Sequence, residues 1–151
     1  MSDFDYMREA MTLAERAAAM GEVPVGAVVV ERATGAIIGR GYNLREKEHS
    51  PLAHAEIIAM EQAARHRGDW RLSGCILYVT LEPCPMCSGA IINARIDRVV
   101  FGAYDPKGGA VRSVEEMFSL PYAHQPRVTA GLLQDPCTEQ LQAFFQSLRQ
   151  K

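Results

Sequence analysis

The sequence predicts an α/β fold in which helices cover both faces of a largely parallel sheet. Segments of strand character alternate with segments of helical periodicity along the chain, and Cys75 to Leu81 is apolar without a break, as in a strand buried on both faces. A third observation sets one exception. Val23 to Glu31 and Ala36 to Tyr42 are two β-rich runs joined through the turn residues Thr34-Gly35, which reads as an antiparallel hairpin. With 151 residues, 48% hydrophobic and 23% charged, the chain can bury one sizeable core, so a single domain over residues 1–151 is expected. It carries no visible linker, internal repeat or low-complexity tract.

Each element has a local reason. Ser2 caps a first helix whose stripe Met7, Met11, Ala14, Ala18 follows the spacing of one buried face, and Gly21 ends it. After the hairpin, Leu44 to Pro51 is polar and reads as a loop. Ala53 to His66 is a helix with Ile57, Met60 and Ala64 inward, stopped at Gly68. Pro85 to Ala94 follows the apolar strand as a helix with proline at its start, Ile91 and Ile92 facing the core. Val99 to Tyr104 is a fourth strand. A Gly-rich loop leads to a short helix over Val114 to Ser119, a fifth strand over Arg127 to Ala130 and a last helix over Pro136 to Gln150. On that helix Phe144 and Phe145 are neighbours and cannot share one face equally.

The start of the chain, Met1-Ser2-Asp3-Phe4-Asp5, is acidic and lacks the basic-then-apolar order of a secretion signal, and no apolar run reaches membrane-spanning length. A cytoplasmic location without membrane association is the expectation. Four cysteines in such a compartment read as metal or redox chemistry rather than disulfides. Cys75 and Cys137 sit in apolar or amphipathic runs and read as small buried hydrophobes.

Two motifs carry the chemistry. His54-Ala55-Glu56 and Pro83-Cys84-Pro85-Met86-Cys87 together offer three zinc ligands and one uncommitted carboxylate. Structural zinc is usually closed by four protein ligands, whereas three ligands leave a position for water. Cys84 and Cys87 are three apart, so at a helix start both sulfurs face one way and free N–H groups favour the thiolate. His54 and Glu56 are two apart and would diverge on a regular helix. One of them must therefore sit on the bend entering the helix; if that is His54, its imidazole reaches the metal while Glu56, one position deeper, is placed to move protons for a metal-activated water. The other reading is a closed structural zinc module completed by Cys75, Cys137, His49, His66 or His124. Such a module has no use for Glu56.

The order Glu22-Val23-Pro24-Val25-Gly26-Ala27-Val28, Asn43, His54-Ala55-Glu56, Tyr78-Val79-Thr80-Leu81-Glu82-Pro83-Cys84, Val99-Val100-Phe101-Gly102-Ala103 resembles the bacterial tRNA-specific adenosine deaminases. The resemblance runs from about Met7 to Phe145. It implies a cytidine-deaminase-like, three-layer α/β/α sandwich around a five-stranded mixed sheet, and hydrolysis of the wobble adenosine of a tRNA anticodon stem-loop to inosine by a homodimer. It also implies one Zn2+ per subunit on His54, Cys84 and Cys87, Glu56 as proton shuttle, and Asn43 against the purine. Read without the family, Asn43 is equally a turn-former at a strand end. Asp105 and Lys107, in the loop Asp105-Pro106-Lys107-Gly108-Gly109, would approach ribose and phosphate; the same residues also make an ordinary solvated turn.

The chain departs from the family in two stretches, reading Val111-Arg112-Ser113 and Gln125-Pro126-Arg127-Val128 where Gly-Ser and Asn-His-Arg-Val are common. Its net charge of −2 is also unlike a nonspecific nucleic-acid binder. Arg95, Arg98, Arg112, Arg127, Arg149 and Lys151 would have to form a local stripe, or be scattered surface charge. A deaminase of a free base, nucleoside or nucleotide such as guanine, cytidine or deoxycytidylate is the alternative function.

Overall fold

A computed structural model describes residues 1–150. The elements are α1 (Asp3–Ala19), β1 (Gly26–Glu31), β2 (Ala36–Tyr42), α2 (Ala55–Arg67), β3 (Cys75–Leu81), α3 (Pro85–Ala94), β4 (Arg98–Ala103), a 3-10 turn (Met117–Ser119), β5 (Arg127–Ala130) and α4 (Gln134–Arg149). The strand order is β2-β1-β3-β4-β5. β1 is antiparallel to both β2 and β3, while β3, β4 and β5 run parallel, so the five-stranded sheet is mixed rather than largely parallel.

Alternation along the strands divides the core. Ala27, Val29, Leu77, Val79, Val99 and Phe101 face α2 and α3. Val28, Val30, Ile76, Tyr78 and Val100 face α1 and α4. Neighbouring residues of β1 thus serve opposite layers, which is why its valine run is continuous. The result is three layers, α1 and α4, the sheet, then α2 and α3.

α1 begins in a capping box between Ser2 and Asp5, with Asp5 N–H donating to Ser2 Oγ at 3.3 Å. Its buried face is Tyr6, Met7, Ala10, Leu13, Ala14 and Ala17, which keeps Met7 and Ala14 of the expected stripe while Met11 and Ala18 are only half-buried. Arg98 donates to Asp3 at 2.9 Å and to Thr129 Oγ1, and the buried Tyr78 hydroxyl also donates to Asp3. The start of α1 is thereby tied to three strands.

α2 also departs from the hydrophobic reading. Ala55, Ala59 and Ala63 are buried with Glu56 and Met60, whereas Ile57 and Ala64 are half-buried. The cause lies across the interface in Gly39 and Gly41, where an added Cβ would meet Ala59 O at 2.1 Å and Ala55 O at 2.3 Å. Glycine on the strand and alanine on the helix let the two backbones touch, so small residues form this face. Gly68 closes α2 with φ 73°.

Candidate metal and active site

Two helix starts converge. His54 is the N-cap of α2, with extended backbone (φ −82°, ψ 151°), and Glu56 lies in that helix's first turn. Cys84 is the N-cap of α3, where its sulfur accepts from Cys87 N–H, and Pro85 occupies the position whose missing N–H costs nothing. Both helices point their positive ends at one spot, which favours anionic sulfur. Among the described residues, His54, Cys84 and Cys87 form a group whose ligand atoms all lie within 4.8 Å of one another.

The donor set fits zinc. His54 Nδ1 stands 3.6 Å from Cys84 Sγ and 3.5 Å from Cys87 Sγ. A tetrahedral ion with its usual bond lengths to nitrogen and sulfur would hold such atoms about 3.6 Å apart. One imidazole and two thiolates also suit that ion's intermediate softness.

Electrostatics at this point favour the same chemistry. The Cys87 thiol beside Cys84, with His54 on its other side, draws the Cys84 thiol down to about 4. Cys87 is pushed upward by that hydrogen bond and by burial. His54 is raised, first by its hydrogen bond with Cys84. A cation here would displace the shared protons and leave neutral imidazole and two thiolates. Burial pushes Glu56, 4% exposed, up to about 7, and a nearby cation would draw it down again.

Above these groups opens a cavity of about 240 Å3. His54, Glu56, Cys84, Asn43 and Asp105 line it, with apolar walls that include Val25 and Leu81. Cys87 is fully buried behind them. Asn43 lines the cavity and also shapes the turn that follows β2. Its Oδ1 accepts from Arg45 N–H at 3.1 Å, as in a turn, and its Nδ2 donates to Val23 O at 3.2 Å. One amide hydrogen and one oxygen lone pair remain for a ligand. Asp105 Oδ1 accepts from Lys107 N–H and Gly108 N–H, so it shapes its own turn while facing the cavity. The Lys107 side chain is exposed and is not among the cavity walls.

The family's sequence model for MafB19-like deaminases matches residues 1–149. The tRNA-specific adenosine deaminase of Bacillus subtilis is 48% identical, across 97% of this chain and 90% of its own length. This chain belongs to the tRNA-specific adenosine deaminase family. A solved structure from a study of A-to-I editing by tRNA:A34 deaminases at the wobble position is 44% identical, with a TM-score of 0.87 over 91% of this chain and 99% of that one. A guanine deaminase from Nitrosomonas europaea is 27% identical, with a TM-score of 0.84 over 95% of this chain and 84% of its own.

Set within the tRNA-specific adenosine deaminases, this chain holds several residues near the site to which the motifs assign no role. Arg45, exposed at the cavity rim, stands two positions after Asn43 in a segment legible only as a polar loop. Glu22 is 1% exposed and accepts from Glu46 N–H and Lys47 N–H at 3.0 and 2.8 Å, fixing the loop that leads to His54. Glu82, 2% exposed, lines the cavity beside Cys84. Burial acts to raise its carboxyl, yet hydrogen bonds from Ser113, Arg112 and Asp105 hold it below the usual carboxylate range.

Of the cations that could have formed a stripe, three are engaged elsewhere. Arg98 is committed to Asp3, Arg112 lies 3.5 Å from Glu116, and Arg95 donates to backbone carbonyls beside Trp70. Lys151 lies outside the described residues. Cys75 and Cys137 are buried away from the ligand group, as their apolar surroundings suggested. Phe144 is half-buried and Phe145 is 44% exposed, so the two do divide between faces.

Proposed function

We propose that this chain, as one deaminase domain, hydrolyses adenosine to inosine at the wobble position of a tRNA anticodon, with one zinc ion on His54, Cys84 and Cys87. The chemistry rests on one observation, the meeting of three ligand atoms at a cavity that His54, Cys84 and Glu56 line together. The choice of substrate rests on the tRNA-specific relatives. When bound with three protein ligands, zinc supplies a position at which water becomes a strong nucleophile at neutral pH.

The protein's own groups do the rest. Glu56 accepts the proton that water releases, delivers it to N1 of the purine, and assists departure of the 6-amino group as ammonia. Water thus provides the oxygen of inosine, and the exocyclic nitrogen leaves. Asn43 orients the ring through its remaining amide hydrogen, and the apolar walls exclude bulk water. Asp105 accepts from a ribose hydroxyl at the cavity mouth, and Lys107 faces phosphate. An anticodon base reaches such a cavity more easily than a duplex base, because loop bases are already partly unstacked.

The homodimer is proposed on a shallow apolar groove along α2 and α3, lined by Ile57, Met60, Ala64, Trp70, Leu72 and Ala90. Trp70 is 53% exposed there. Sedimentation of the purified protein decides between one and two copies. No helix among the described residues is long and apolar enough to cross a membrane. A tRNA substrate favours a cytoplasmic site of action.

The likeness to a guanine deaminase keeps one competing reading, a deaminase of free bases. Incubating the zinc-loaded protein with an anticodon stem-loop bearing wobble adenosine, and separately with adenosine, cytidine and guanine, separates the two. Inosine in the RNA alone is expected. Turnover of a free base without RNA turnover overturns the proposal.

A further inference from the structure

Glu82 is the last residue before Pro83-Cys84, and its carboxylate is almost wholly buried at the base of the loop that follows β4. Five donors from that loop converge on it. Asp105 N–H donates to Oε1 at 3.0 Å, Val111, Arg112 and Ser113 N–H donate to Oε2 at 3.2, 2.7 and 2.9 Å, and the Ser113 hydroxyl donates to Oε1 at 2.5 Å. The neighbouring residue makes the same link, since Pro83 O accepts from Ala110 N–H at 2.9 Å. Gly109 shows how closely the loop is drawn in: an added Cβ would lie 2.2 Å from the Glu82 carboxyl carbon.

A buried carboxylate with this many donors is a strong clamp, because charge-assisted hydrogen bonds are the stronger kind and each one broken leaves a buried polar group unpaired. Its position matters more than its strength. The main chain passes from Glu82 to the ligand Cys84 in two residues, while the clamped loop presents Asp105 and Gly108 to the cavity. The Glu82 side chain, together with the Pro83–Ala110 hydrogen bond, therefore ties the segment bearing the metal ligands to the cavity wall formed by Asp105 and Gly108.

We propose that Glu82 is a positioning residue for substrate recognition, holding the loop 105–113 in register with Cys84 so that its wall meets the nucleotide around the reacting base. This inference rests on the deaminase reading above. The stretch Val111-Arg112-Ser113, where the chain departs from the common family pattern, serves the clamp through backbone N–H groups and one hydroxyl. Its Val and Arg side chains are not needed for these bonds.

The test compares Glu82→Gln and Ser113→Ala with the unmodified zinc-loaded protein. Backbone amide exchange is measured by mass spectrometry, and kcat and KM are measured on an anticodon stem-loop. For Glu82→Gln, faster exchange confined to 105–113, a KM raised about tenfold, kcat within about twofold and unchanged zinc content are expected. Wild-type exchange in that loop, or a fall in kcat at unchanged KM, overturns the proposal. Should Glu82→Gln not fold, Ser113→Ala decides, with a smaller rise in KM and faster loop exchange supporting the clamp and wild-type values for both refuting it. If the unmodified protein does not deaminate the RNA, the deaminase reading fails, while the exchange comparison still tests the clamp.

Discussion

Replacing Glu56 with glutamine would keep the shape of the first turn of α2 and remove its proton carrier. Because positioned acid–base catalysis contributes about 10²- to 10⁴-fold, Glu56→Gln should lower single-turnover deamination of the stem-loop by that factor. Zinc content, read by metal analysis on the same sample, should stay unchanged, since the three ligands are untouched. At this scale the sequence is informative wherever function and local geometry coincide. The two-residue separation of His54 and Glu56 forces one of them onto the helix cap, and Pro85 marks the helix start that aligns Cys84 with Cys87. Glu22 and Glu82 lack that advantage. Their partners lie 24 to 25 and 23 to 31 positions away, so only the folded chain shows that these carboxylates are committed to backbone donors.

Elements follow a related rule, in that their existence is local but their orientation is set by what they touch. Helix starts are readable from Ser2 and Pro85, and stops from Gly21 and Gly68, whereas the buried faces of α1 and α2 match the expected stripes only in part, at Met7, Ala14 and Met60. Hydrophobic size pointed to Ile57 and Ala64, yet the close approach of β2 selects Ala55, Ala59 and Ala63. This contact holds the active site at a distance. In Gly41→Ala the new Cβ would stand 2.3 Å from Ala55 O and 2.8 Å from Ala59 N, so α2 must shift at the end that carries His54 and Glu56. Overpacking of this kind costs about 1–3 kcal/mol, and zinc affinity should fall with stability. Gly89→Ala on α3 is the control, because beyond its chain neighbours and its own helix backbone nothing lies within 4 Å of its added Cβ. Thermal unfolding and competition with a zinc chelator measure both effects. A Gly41→Ala protein with wild-type zinc affinity would separate helix seating from metal binding.

Across the whole molecule, sheet order and charge placement are the features that local reading resolves least. Each crossover was visible, but not that β3 lands beside β1 instead of β2. The arrangement has a physical basis, since β1 is buried on both faces and belongs inside the sheet, while β2 exposes Arg40 and forms an edge. Charge poses the opposite problem, because a net −2 is plain from composition and says nothing about local fields. Several arginines are held by Asp3, Glu31, Asp97 or Glu116, whereas Arg45 at the cavity rim and Lys107 on the adjoining turn are exposed, and under the proposed function these are the cations that would meet RNA phosphate. Binding should therefore depend on salt only modestly. Each neutralised phosphate contributes about −0.7 to −0.9 to the slope of log affinity against log salt, so a shallow slope corresponds to a few contacts rather than a broad basic surface. Lys107→Ala should weaken stem-loop binding and reduce the magnitude of that slope by about one contact's worth. Fluorescence anisotropy across a salt series reads both quantities. An unchanged slope would return Lys107 to a solvated turn and leave recognition to Arg45, Asp105 and the base-binding cavity.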